Sequence, residues 1–437
     1  MVMSANAKQP HVVIVGAGFG GLAAAKGLCG KGVRVTLVDR QNHHLFQPLL
    51  YQVATAGLSP ADIAAPIRSV VKKHKQTQVL MDRVTGVDTG RKLVLLADGE
   101  PLAYDQLILA TGAQHSYFGR DDWAQHAPGL KTIDDATRLR RKILLALEHA
   151  ETEHDPDRRR RLLTFVVVGG GPTGVEMAGA IAELTRHAVG MDFRSIMTDQ
   201  TRVVLIEGSD RLLRAFPPSL SERAKQALEH LGVDVRLDQR VTQVDADGVD
   251  ANGERTDAAT IVWAAGVRAS PAARWLGAEA DTTGRVLVEH DMSVPAHPDI
   301  FVIGDSAFIL CPKGEPVPGV APAAKQQGQY VAKLIARRTA GRAAPGPFRY
   351  INYGNLATIG RKRAVADFDW VRVSGQTAWL LWCVTHIYFL VGFRARLVVG
   401  ANWFWNYLTF ERGARLITGV DVGNDLAPAD LRLREAA

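Results

Sequence analysis

Cysteine is scarce in this 437-residue chain: Cys29, Cys311 and Cys383 lie far apart and form no CxxC pair. The sequence therefore predicts neither a disulfide framework nor a close-spaced dithiol redox centre, and a reducing compartment is expected. No apolar run typical of a secretory signal peptide precedes the first strand predicted at His11. We accordingly expect the bulk of the protein to stay in the cytoplasm.

Acidic residues are fewer than basic ones, which leaves a net charge of +7 and a pI of about 9.3. Such an excess is compatible with nucleic acid, with an anionic membrane surface, or with solubility alone. Hydrophobic residues make up 47% of the chain, as in packed globular cores, and the length suffices for about three domains. Long disordered segments and repeat arrays are not expected.

Glycine spacing carries the strongest signal. In the segment TFVVVGGGPTGVE, residues 164–176, an apolar β-branched run ends in Gly169, Gly171 and Gly174, ahead of a helical pattern. This order predicts a strand, a tight turn and a helix N-terminus that binds a pyrophosphate. Glycine suits the turn because the backbone bends sharply there and must approach the phosphates, while the helix end supplies N–H donors.

The same arrangement occurs near the start of the chain, in HVVIVGAGFGG, where Gly16, Gly18 and Gly21 follow an apolar run. After each motif a second predicted strand ends in a carboxylate, Asp39 in the first copy and Glu207 in the second. A carboxylate at this point accepts hydrogen bonds from ribose hydroxyls and repels the 2′-phosphate of NADPH, so NADH is favoured. The alternative for Asp39 is a solvated residue at a strand end.

A further pair of segments indicates an internal duplication. QLILATG ends in Gly112 and TIVWAAG ends in Gly266, at nearly the same distance from the first glycine of each motif. The longer spacing between Gly169 and Glu207 predicts an insertion that is looped out near residues 190–200.

Residues 42–60, NHHLFQPLLYQVATAGLSP, combine turn formers and aromatics without a clean period. We expect a loop that lines a site. His43 and His44 within it are interpreted as surface or structural residues, and no metal site is predicted because no cysteine or carboxylate accompanies them at ligand spacing.

These segments, together with FQPLLYQVATAGL, HPDIFVIGDSA, AAKQQG and the region from residue 350 on, resemble the type II NADH:quinone oxidoreductases over nearly the whole chain. The resemblance implies an α/β fold with two tandem Rossmann-like dinucleotide-binding domains and a C-terminal amphipathic helical membrane-anchor region. The implied FAD-binding domain covers residues 1–118 and 286–345, the NADH-binding domain covers 119–285, and the membrane-association region covers 346–437.

The resemblance also implies site residues in each domain. FAD is the expected cofactor and NADH the expected substrate. The residues predicted to bind FAD are Gly16, Gly18, Gly21, Asp39, Gln47, Thr111, Gly112 and Asp305, and those predicted to bind NADH are Gly169, Gly171, Gly174, Glu207 and Gly266.

Fewer residues are predicted for quinone reduction than for nucleotide binding. The family has an AQxAxQxG signature, and here Pro322 replaces the first glutamine. Gln326 and Gln327 are predicted to act near the flavin, although Gln326 also suits a helix-capping role. Lys362 is a candidate for the quinone path or for a solvated basic face. Glu176 is expected to position the nicotinamide and deliver a proton, with stabilisation of a helix N-terminus as the simpler alternative.

Two apolar stretches near the C-terminus, residues 378–393 and 397–410, are rich in tryptophan and tyrosine and are flanked by arginine. As a helix the first spans about 24 Å, short of the roughly 30 Å of a bilayer core, so it is not expected to cross. We predict an amphipathic anchor on an anionic membrane surface, although a buried hairpin or a dimer interface fits the same pattern. Ala395 stands where the family commonly has asparagine.

The sequence therefore predicts a peripheral, homodimeric enzyme on the cytoplasmic face of the cell membrane, with no nucleic-acid partner. It is expected to pass hydride from NADH to FAD and electrons to quinone by a ping-pong mechanism, without pumping protons. A soluble NADH-dependent reductase of a small iron–sulfur protein is one alternative. A flavoprotein that senses NADH with little turnover is the other.

Overall fold

The computed structural model describes residues 9–312, 314–409 and 413–419 and divides into two compact units. Of the described residues, the first unit contains those up to Phe46, Ala64–Ser116 and Gly266–Gly354. The second contains Gln47–Ile63, Tyr117–Ala265 and the described residues from Asn355 on. The two units are distinguished by which residues contact one another and not by which nucleotide they bind. The predicted FAD-binding and NADH-binding domains therefore stay predictions.

The helices of the described residues, numbered along the chain, are α1 (Phe19–Gly27), α2 (Leu50–Ala54), α3 (Pro60–Ile63), α4 (Ile67–Val70), α5 (Ile133–Thr152), α6 (Pro156–Leu162), α7 (Pro172–Asp192), α8 (Pro218–His230), α9 (Ala272–Leu276), α10 (Ala321–Thr339), α11 (Gln376–Phe389) and α12 (Phe393–Thr409).

The strands are β1 (His11–Val15), β2 (Arg34–Asp39), β3 (His43–Leu45), β4 (Ala64–Pro66), β5 (Thr77–Met81), β6 (Val84–Asp88), β7 (Leu93–Leu96), β8 (Leu102–Ala103), β9 (Gln106–Leu109), β10 (Ala113–His115), β11 (Thr164–Val168), β12 (Arg202–Ile206), β13 (Val233–Arg236), β14 (Val241–Val244), β15 (Gly248–Ala251), β16 (Glu254–Asp257), β17 (Thr260–Trp263), β18 (Val267–Ala269), β19 (Val286–Leu287), β20 (Ser293–Val294), β21 (His297–Val302), β22 (Ala307–Phe308), β23 (Asn355–Thr358), β24 (Ala364–Asp367) and β25 (Arg372–Gly375).

A six-stranded sheet in the order β20-β21-β9-β1-β2-β5 forms the centre of the first unit. Its strands are parallel except at the β20–β21 edge. The strand β1 is buried along its whole length, as expected for an apolar strand in a parallel sheet covered on both faces. Helix α10 packs closely on α1, since a Cβ at Gly328 would lie 2.1 Å from the Gly20 carbonyl oxygen.

The second unit repeats the central part of this topology. Its parallel sheet has the order β13-β12-β11-β17, with β11 paired to β12 on one side and to β17 on the other, just as β1 pairs with β2 and β9. The strands that end before Gly112 and Gly266 are therefore topologically equivalent. Two dinucleotide folds of common design, as the glycine spacing predicted, explain this correspondence. Antiparallel sheets β14-β15-β16 and β23-β24-β25 complete the unit.

Two sequence-based expectations about loops were wrong. Residues 42–60 contain β3, a 3₁₀-helix at Gln47–Leu49, α2 and the first residue of α3 rather than one loop, and Leu49, Leu50, Tyr51 and Val53 are buried in the core. The apolar residues of that segment are buried, but its one short helix, α2, is too short to show a recognisable helical period in the sequence. The long spacing before Glu207 arises mainly because α7 has 21 residues where α1 has nine, so much of the added length is helical rather than looped out.

The two C-terminal apolar stretches lie largely in the helices α11 and α12 of the second unit. Residues 410–412 and 420–437 of the predicted membrane-association region lie outside the described residues. Within residues 9–312, 314–409 and 413–419, no helix combines the length and the apolar character needed to cross a bilayer. Pro322 lies in the first turn of α10, where proline is tolerated because the helix has no hydrogen bond to lose there.

Candidate functional site

The glycine turn of the first unit is shaped by close backbone approach. Gly16 has φ +99°, and a Cβ on it would lie 2.3 Å from the Ala110 carbonyl oxygen. A Cβ on Gly21 would lie 1.8 Å from the Gly16 carbonyl oxygen, so neither position accepts a side chain. By contrast, a Cβ on Gly18 would meet no heavy atom within 4 Å. The turn is therefore tight towards the sheet and open in front of α1.

Asp39 at the end of β2 holds this turn. Its Oδ2 accepts a hydrogen bond from the Ala17 N–H at 2.6 Å, and its Oδ1 accepts one from the Gln41 N–H at 2.8 Å. His44, which is buried, donates from Nδ1 to the Ala17 carbonyl oxygen at 2.9 Å. Burial and the nearby Lys26 keep the pKa of His44 below its ordinary value. Of the two sequence-based interpretations of His44, surface or structural, the structural one is confirmed, and the structure adds its contact with the nucleotide turn.

A second turn of the first unit carries Asp305. Gly304 has φ +73°, and its N–H donates to the Oε1 of buried Gln327 at 2.6 Å. Gln327 thereby fixes the backbone beside Asp305, whose side chain stays partly exposed. A catalytic role of Gln327, as predicted, would have to coexist with this structural bond and stays a prediction.

Hydroxyl groups gather beside the same turn. Ser306 Oγ donates to the Gly112 carbonyl oxygen at 3.0 Å and lies 3.0 Å from Thr111 Oγ1. Thr111 Oγ1 is also hydrogen-bonded to Ser270 Oγ. The structure thus brings together Thr111, Gly112 and Asp305, which were predicted from distant parts of the sequence. Ser270 was missed because no local pattern marks it.

These features fit an adenine dinucleotide in the first unit. The N-terminus of α1 has no side-chain cap, so the N–H groups of its first turn can donate to phosphate oxygens. The open space at Gly18 lies at this helix end, and the Asp39 carboxylate lies at the end of the neighbouring strand. This arrangement matches the donor and acceptor needs of a pyrophosphate and a ribose.

The second unit repeats the turn in detail. Gly169 has φ +109°, and a Cβ on it would lie 2.6 Å from the Ala264 carbonyl carbon. A Cβ on Gly174 would lie 1.8 Å from the Gly169 carbonyl oxygen, whereas one on Gly171 would meet nothing within 4 Å. The helix α7 also begins without a side-chain cap. The second turn therefore offers the same open, N–H-lined space as the first.

Glu207 occupies the place that Asp39 has in the first unit. Its Oε2 accepts a hydrogen bond from the Gly170 N–H, and its Oε1 accepts from the Ser209 N–H at 2.8 Å and from the Ser209 hydroxyl. Both carboxylates therefore tie the strand end to the glycine turn. The correspondence extends from the topology to individual hydrogen bonds.

Glu176 lies in the second turn of α7. Burial raises the pKa of its carboxyl group to about 8, and a hydrogen bond from the Thr358 backbone opposes this rise. An acid with this pKa is mostly protonated at neutral pH, which is the state a proton donor needs. Glu176 lies beyond the first turn of α7, where a carboxylate interacts most strongly with the helix N-terminus, and its role in proton delivery stays a prediction.

Other predicted site residues have structural partners. Gln326 forms two hydrogen bonds of 2.9 Å with the backbone of Ile351, one as donor and one as acceptor. Gln47 is exposed in the second unit and donates to the Lys131 carbonyl oxygen at 3.3 Å. The Gly266 carbonyl oxygen accepts a hydrogen bond from the Ser116 N–H at 3.1 Å in the first unit. The functional roles of these three residues stay predictions.

Lys362 has φ +65° and lines a cavity of about 420 Å³ in the second unit. The other lining residues are Arg186, His230, Leu231, Arg361, Arg363, Gly375 and Gln376. A cavity with so many basic groups is better suited to an anion than to an uncharged quinone. The place of Lys362 on a quinone path stays a prediction.

Residues 10–328 match the pyridine nucleotide-disulphide oxidoreductase family, and residues 353–412 match the NDH2 C-terminal domain. The type II NADH:quinone oxidoreductase Ndh of Mycobacterium tuberculosis is 45% identical over 425 residues, which cover 94% of this chain and 91% of that protein. The mitochondrial internal alternative NAD(P)H-ubiquinone oxidoreductase A1 of Arabidopsis thaliana is 30% identical over 434 residues, covering 92% of this chain and 84% of that protein.

Solved structures have a similar fold. NDH2 from Plasmodium falciparum in complex with NADH has a TM-score of 0.84 at 21% identity, covering 92% of this chain and 99% of that chain. The sulfide:quinone oxidoreductase of Aquifex aeolicus has a TM-score of 0.70 at 17% identity, covering 89% and 91%. The predicted α/β dinucleotide-binding flavoprotein fold is thereby confirmed.

Proposed function

Because the chain belongs to the type II NADH:quinone oxidoreductases, we propose that it oxidises NADH and reduces a quinone through bound FAD, without pumping protons. The FAD supplies the redox chemistry, since a flavin accepts hydride from NADH and passes electrons on. The observation that carries this function is the pair of matching nucleotide turns, each open at an uncapped helix end and held by a strand-end carboxylate.

The chain's own residues bind and orient the two nucleotides. In the first unit, Gly16, Gly18, Gly21 and Asp39 hold the FAD pyrophosphate and ribose, and Asp305 accepts hydrogen bonds from the sugar-alcohol chain. Thr111 and Gly112 support this second contact through the Ser306 hydroxyl. In the second unit, Gly169, Gly171, Gly174 and Glu207 hold NADH. Fixing both partners in place converts hydride transfer into an effectively intramolecular step.

A rapid-mixing experiment tests this function directly. Addition of NADH to the purified protein without oxygen should bleach the flavin absorbance band, and a short-chain quinone should restore it. Failure of either step would contradict the proposed ping-pong mechanism. A reductase of iron–sulfur proteins would instead prefer such a protein to every quinone, and an NADH sensor would turn over slowly with all of them.

Glu176 donates the proton that quinone reduction requires beyond the hydride. The side chain is protonated below its pKa of about 8 and loses this proton as the pH rises through that value. Proton donation therefore contributes at neutral pH and is lost in the alkaline range.

The Glu176→Gln variant is expected to reduce quinone roughly 100-fold more slowly than the wild type at pH 7. The wild-type rate should fall as the pH rises through about 8, while the variant should have a flat profile there. NADH oxidation with ferricyanide, an acceptor that takes up no proton, should be unchanged. Glu222→Gln, at an exposed position of α8, serves as the control. If Glu176→Gln reduced quinone at the wild-type rate across this pH range, the motif around Glu176 would serve phosphate binding only.

The C-terminal helices attach the enzyme peripherally to the cytoplasmic face of the cell membrane. On α11, Leu380, Val384 and Tyr388 recur every fourth residue and are each more than half exposed. On α12, Phe393, Leu397, Phe404 and Trp405 are exposed to a similar degree. These residues form an apolar face, and the basic cavity around Lys362 lies at the start of α11. Apolar side chains next to basic groups suit an anionic lipid surface.

Replacing Val384, Phe393 and Phe404 together with serine is expected to lower partition onto anionic vesicles at least about tenfold, because each exposed apolar side chain contributes roughly 1 kcal/mol or more when it enters the lipid. Vesicle sedimentation measures this change. Met191→Ser/Met197→Ser, at exposed apolar positions outside these helices, is the matched control. Unchanged vesicle binding together with loss of a homodimer in light scattering would assign the face to self-association.

A further inference from the structure

The basic cavity of about 420 Å³ in the second unit shares no lining residue with either nucleotide turn. Its lining comes from α7, from the end of α8, from the turn between β23 and β24, and from the start of α11. Three arginines, one lysine and one histidine line it, and no carboxylate is among these lining residues. Pockets for small molecules typically measure about 300–1,000 Å³, so this one has room for a phosphate and the group esterified to it.

The turn between β23 and β24 places three of these cations side by side. The Ile359 N–H donates to the Arg363 carbonyl oxygen at 2.8 Å and closes the turn. The Arg361 N–H donates to the carboxylate of Glu183 on α7, and Lys362 has φ +65°. All three basic residues of the turn are half-buried. The backbone of the turn is therefore fixed, and the three cations are held together at the cavity.

Two of the arginines that line the cavity lack a carboxylate partner. Arg186 donates from Nη2 to the Leu231 carbonyl oxygen at 3.3 Å, and Arg363 Nη1 lies 3.5 Å from the Ala227 carbonyl oxygen. Within the part of the chain that the structure describes, neither forms an ion pair. Arg255 in the same unit pairs with three aspartates. Partly buried charges are normally paired, so Arg363 in particular is short of a counter-charge.

The C-terminus of α8 offsets only part of this positive charge. The last carbonyl groups of a helix together carry roughly half a negative elementary charge, which attracts cations. Arg186 and Arg363 both approach carbonyl oxygens at this helix end, and His230 lies in its last turn. Half a charge cannot balance four Lys and Arg side chains around one cavity. An anion from outside the chain would complete the balance.

The start of α11 adds backbone donors to the cavity. This 14-residue helix begins after Gly375, which provides no side-chain cap, and no acidic residue lies in its first turn. The first N–H groups of a helix have no partner within the helix and attract anions. Because Gly375 and Gln376 line the cavity, these donors lie beside the cations. A phosphate group accepts hydrogen bonds from both kinds of donor.

An apolar row leads away from the cavity along α11. Leu380, Val384 and Tyr388 follow Gln376 at intervals of four residues, so they lie on successive turns of one face. Each is more than half exposed. The row is roughly 18 Å long at the rise of an α-helix. A soluble phosphate compound would leave this row uncovered, whereas a phospholipid would cover it with its acyl chains.

We propose that the cavity is a saturable site for the phosphate group of an anionic phospholipid whose acyl chains lie along the apolar row of α11. This inference rests on the proposed membrane attachment and adds to it one headgroup site per chain. The excess of cations favours an anionic headgroup over a choline headgroup, whose own cation would be repelled. Arg361 also donates from Nη1 to the Asn406 carbonyl oxygen at 2.6 Å, so this site adjoins α12.

Calorimetric titration of the purified, FAD-loaded protein with monomeric dihexanoylphosphatidylglycerol tests the proposal. We expect one saturable site per chain. The Arg186→Gln/Arg363→Gln variant removes two charged donors and should bind this lipid at least about tenfold more weakly. Arg186→Gln alone, at an exposed position, should weaken binding about threefold or more and gives a second route if the double variant fails to fold. Arg158→Gln/Arg160→Gln on α6 loses the same two charges at exposed positions outside the cavity and should bind within about twofold of the wild type.

Soluble probes distinguish a lipid from other sources of phosphate. Inorganic phosphate and glycerophosphoglycerol, which is the same headgroup without acyl chains, should bind at least about tenfold more weakly than the lipid because they bury no apolar surface. Dihexanoylphosphatidylcholine should also bind at least about tenfold more weakly. If glycerophosphoglycerol bound as tightly as the lipid, the cavity would be a site for a soluble phosphate ester and the lipid assignment would be wrong.

The absence of a saturable site in the wild type, or wild-type affinity in Arg186→Gln and the double variant, would overturn the proposal. Equal affinity for the phosphatidylcholine probe would overturn it as well, because the cations would then have no part in recognition. The titration uses monomeric lipid and no vesicle. Failure of the cavity to bind is therefore observed separately from failure of the membrane attachment, which vesicle sedimentation of the triple serine variant measures.

Discussion

Gly21→Ala is expected to abolish FAD binding and to destabilise the first unit by about 3 kcal/mol or more, because there is no room for a side chain at this position. The added Cβ would lie 1.8 Å from the Gly16 carbonyl oxygen, which is backbone and cannot rotate away. Either α1 must move away from β1 or the turn must open. Both movements displace the N–H groups that bind the pyrophosphate. Flavin absorbance per protein and thermal unfolding measure the two losses.

Gly18→Ala is the matched control for this prediction. Its Cβ would meet no protein atom within 4 Å, and its φ of −68° is allowed for alanine. The stability of the apoprotein should therefore stay within about 0.5 kcal/mol of the wild type. FAD affinity should still fall, since the methyl group enters the space predicted for the pyrophosphate. If Gly18→Ala kept the full flavin content, the FAD pyrophosphate would not bind at the turn around Gly18.

Glu207→Gln is expected to lower the preference for NADH over NADPH, measured as the ratio of kcat/KM values, by about 100-fold. A carboxylate within about 4 Å of a phosphate opposes it by several kcal/mol at the effective dielectric constant of a protein surface. The amide removes this repulsion and weakens acceptance of the ribose hydroxyls, so NADH and NADPH change in opposite directions. The amide group has one oxygen where the carboxylate has two. It can therefore accept only some of the three hydrogen bonds that Glu207 accepts from Gly170 and Ser209.

Steady-state kinetics with both nucleotides check this expectation, and flavin content should stay at the wild-type level because Glu207 belongs to the second unit. Glu229→Gln, a neutralisation at an exposed position of α8, should leave the ratio unchanged. An unchanged ratio in Glu207→Gln would mean that Glu207 only holds the Gly170 turn.

Much of the fold was predictable because dinucleotide turns impose local constraints. The buried strands β1 and β11, the tight glycines and the carboxylates Asp39 and Glu207 all follow from the geometry of one strand–turn–helix unit. Residues 42–60 were misjudged for the opposite reason. Their helix α2 is only five residues long, and its burial comes from contacts with distant parts of the chain.

The candidate site was less predictable than the fold. The sequence marked Glu176 by its motif, but the rise of its pKa to about 8 depends on burial, which no local pattern specifies. Gln326 and Gln327 were assigned one role from a shared signature, yet the structure gives them different partners, Ile351 and Gly304. Ser270 and the contact of His44 with the nucleotide turn were not recognised because the partners of both residues lie far away in the sequence.

By itself the sequence determined the duplicated nucleotide fold and the family, and it predicts a preference for NADH, since each depends on residue types at short spacings along the chain. Tertiary structure alone decided which side chains meet. It brought Thr111 to Ser270 and Ser306, and it joined Trp403 to Gln52 across most of the chain. Hydrogen bonds act over about 3 Å, so such partnerships exist only after folding has brought distant segments together.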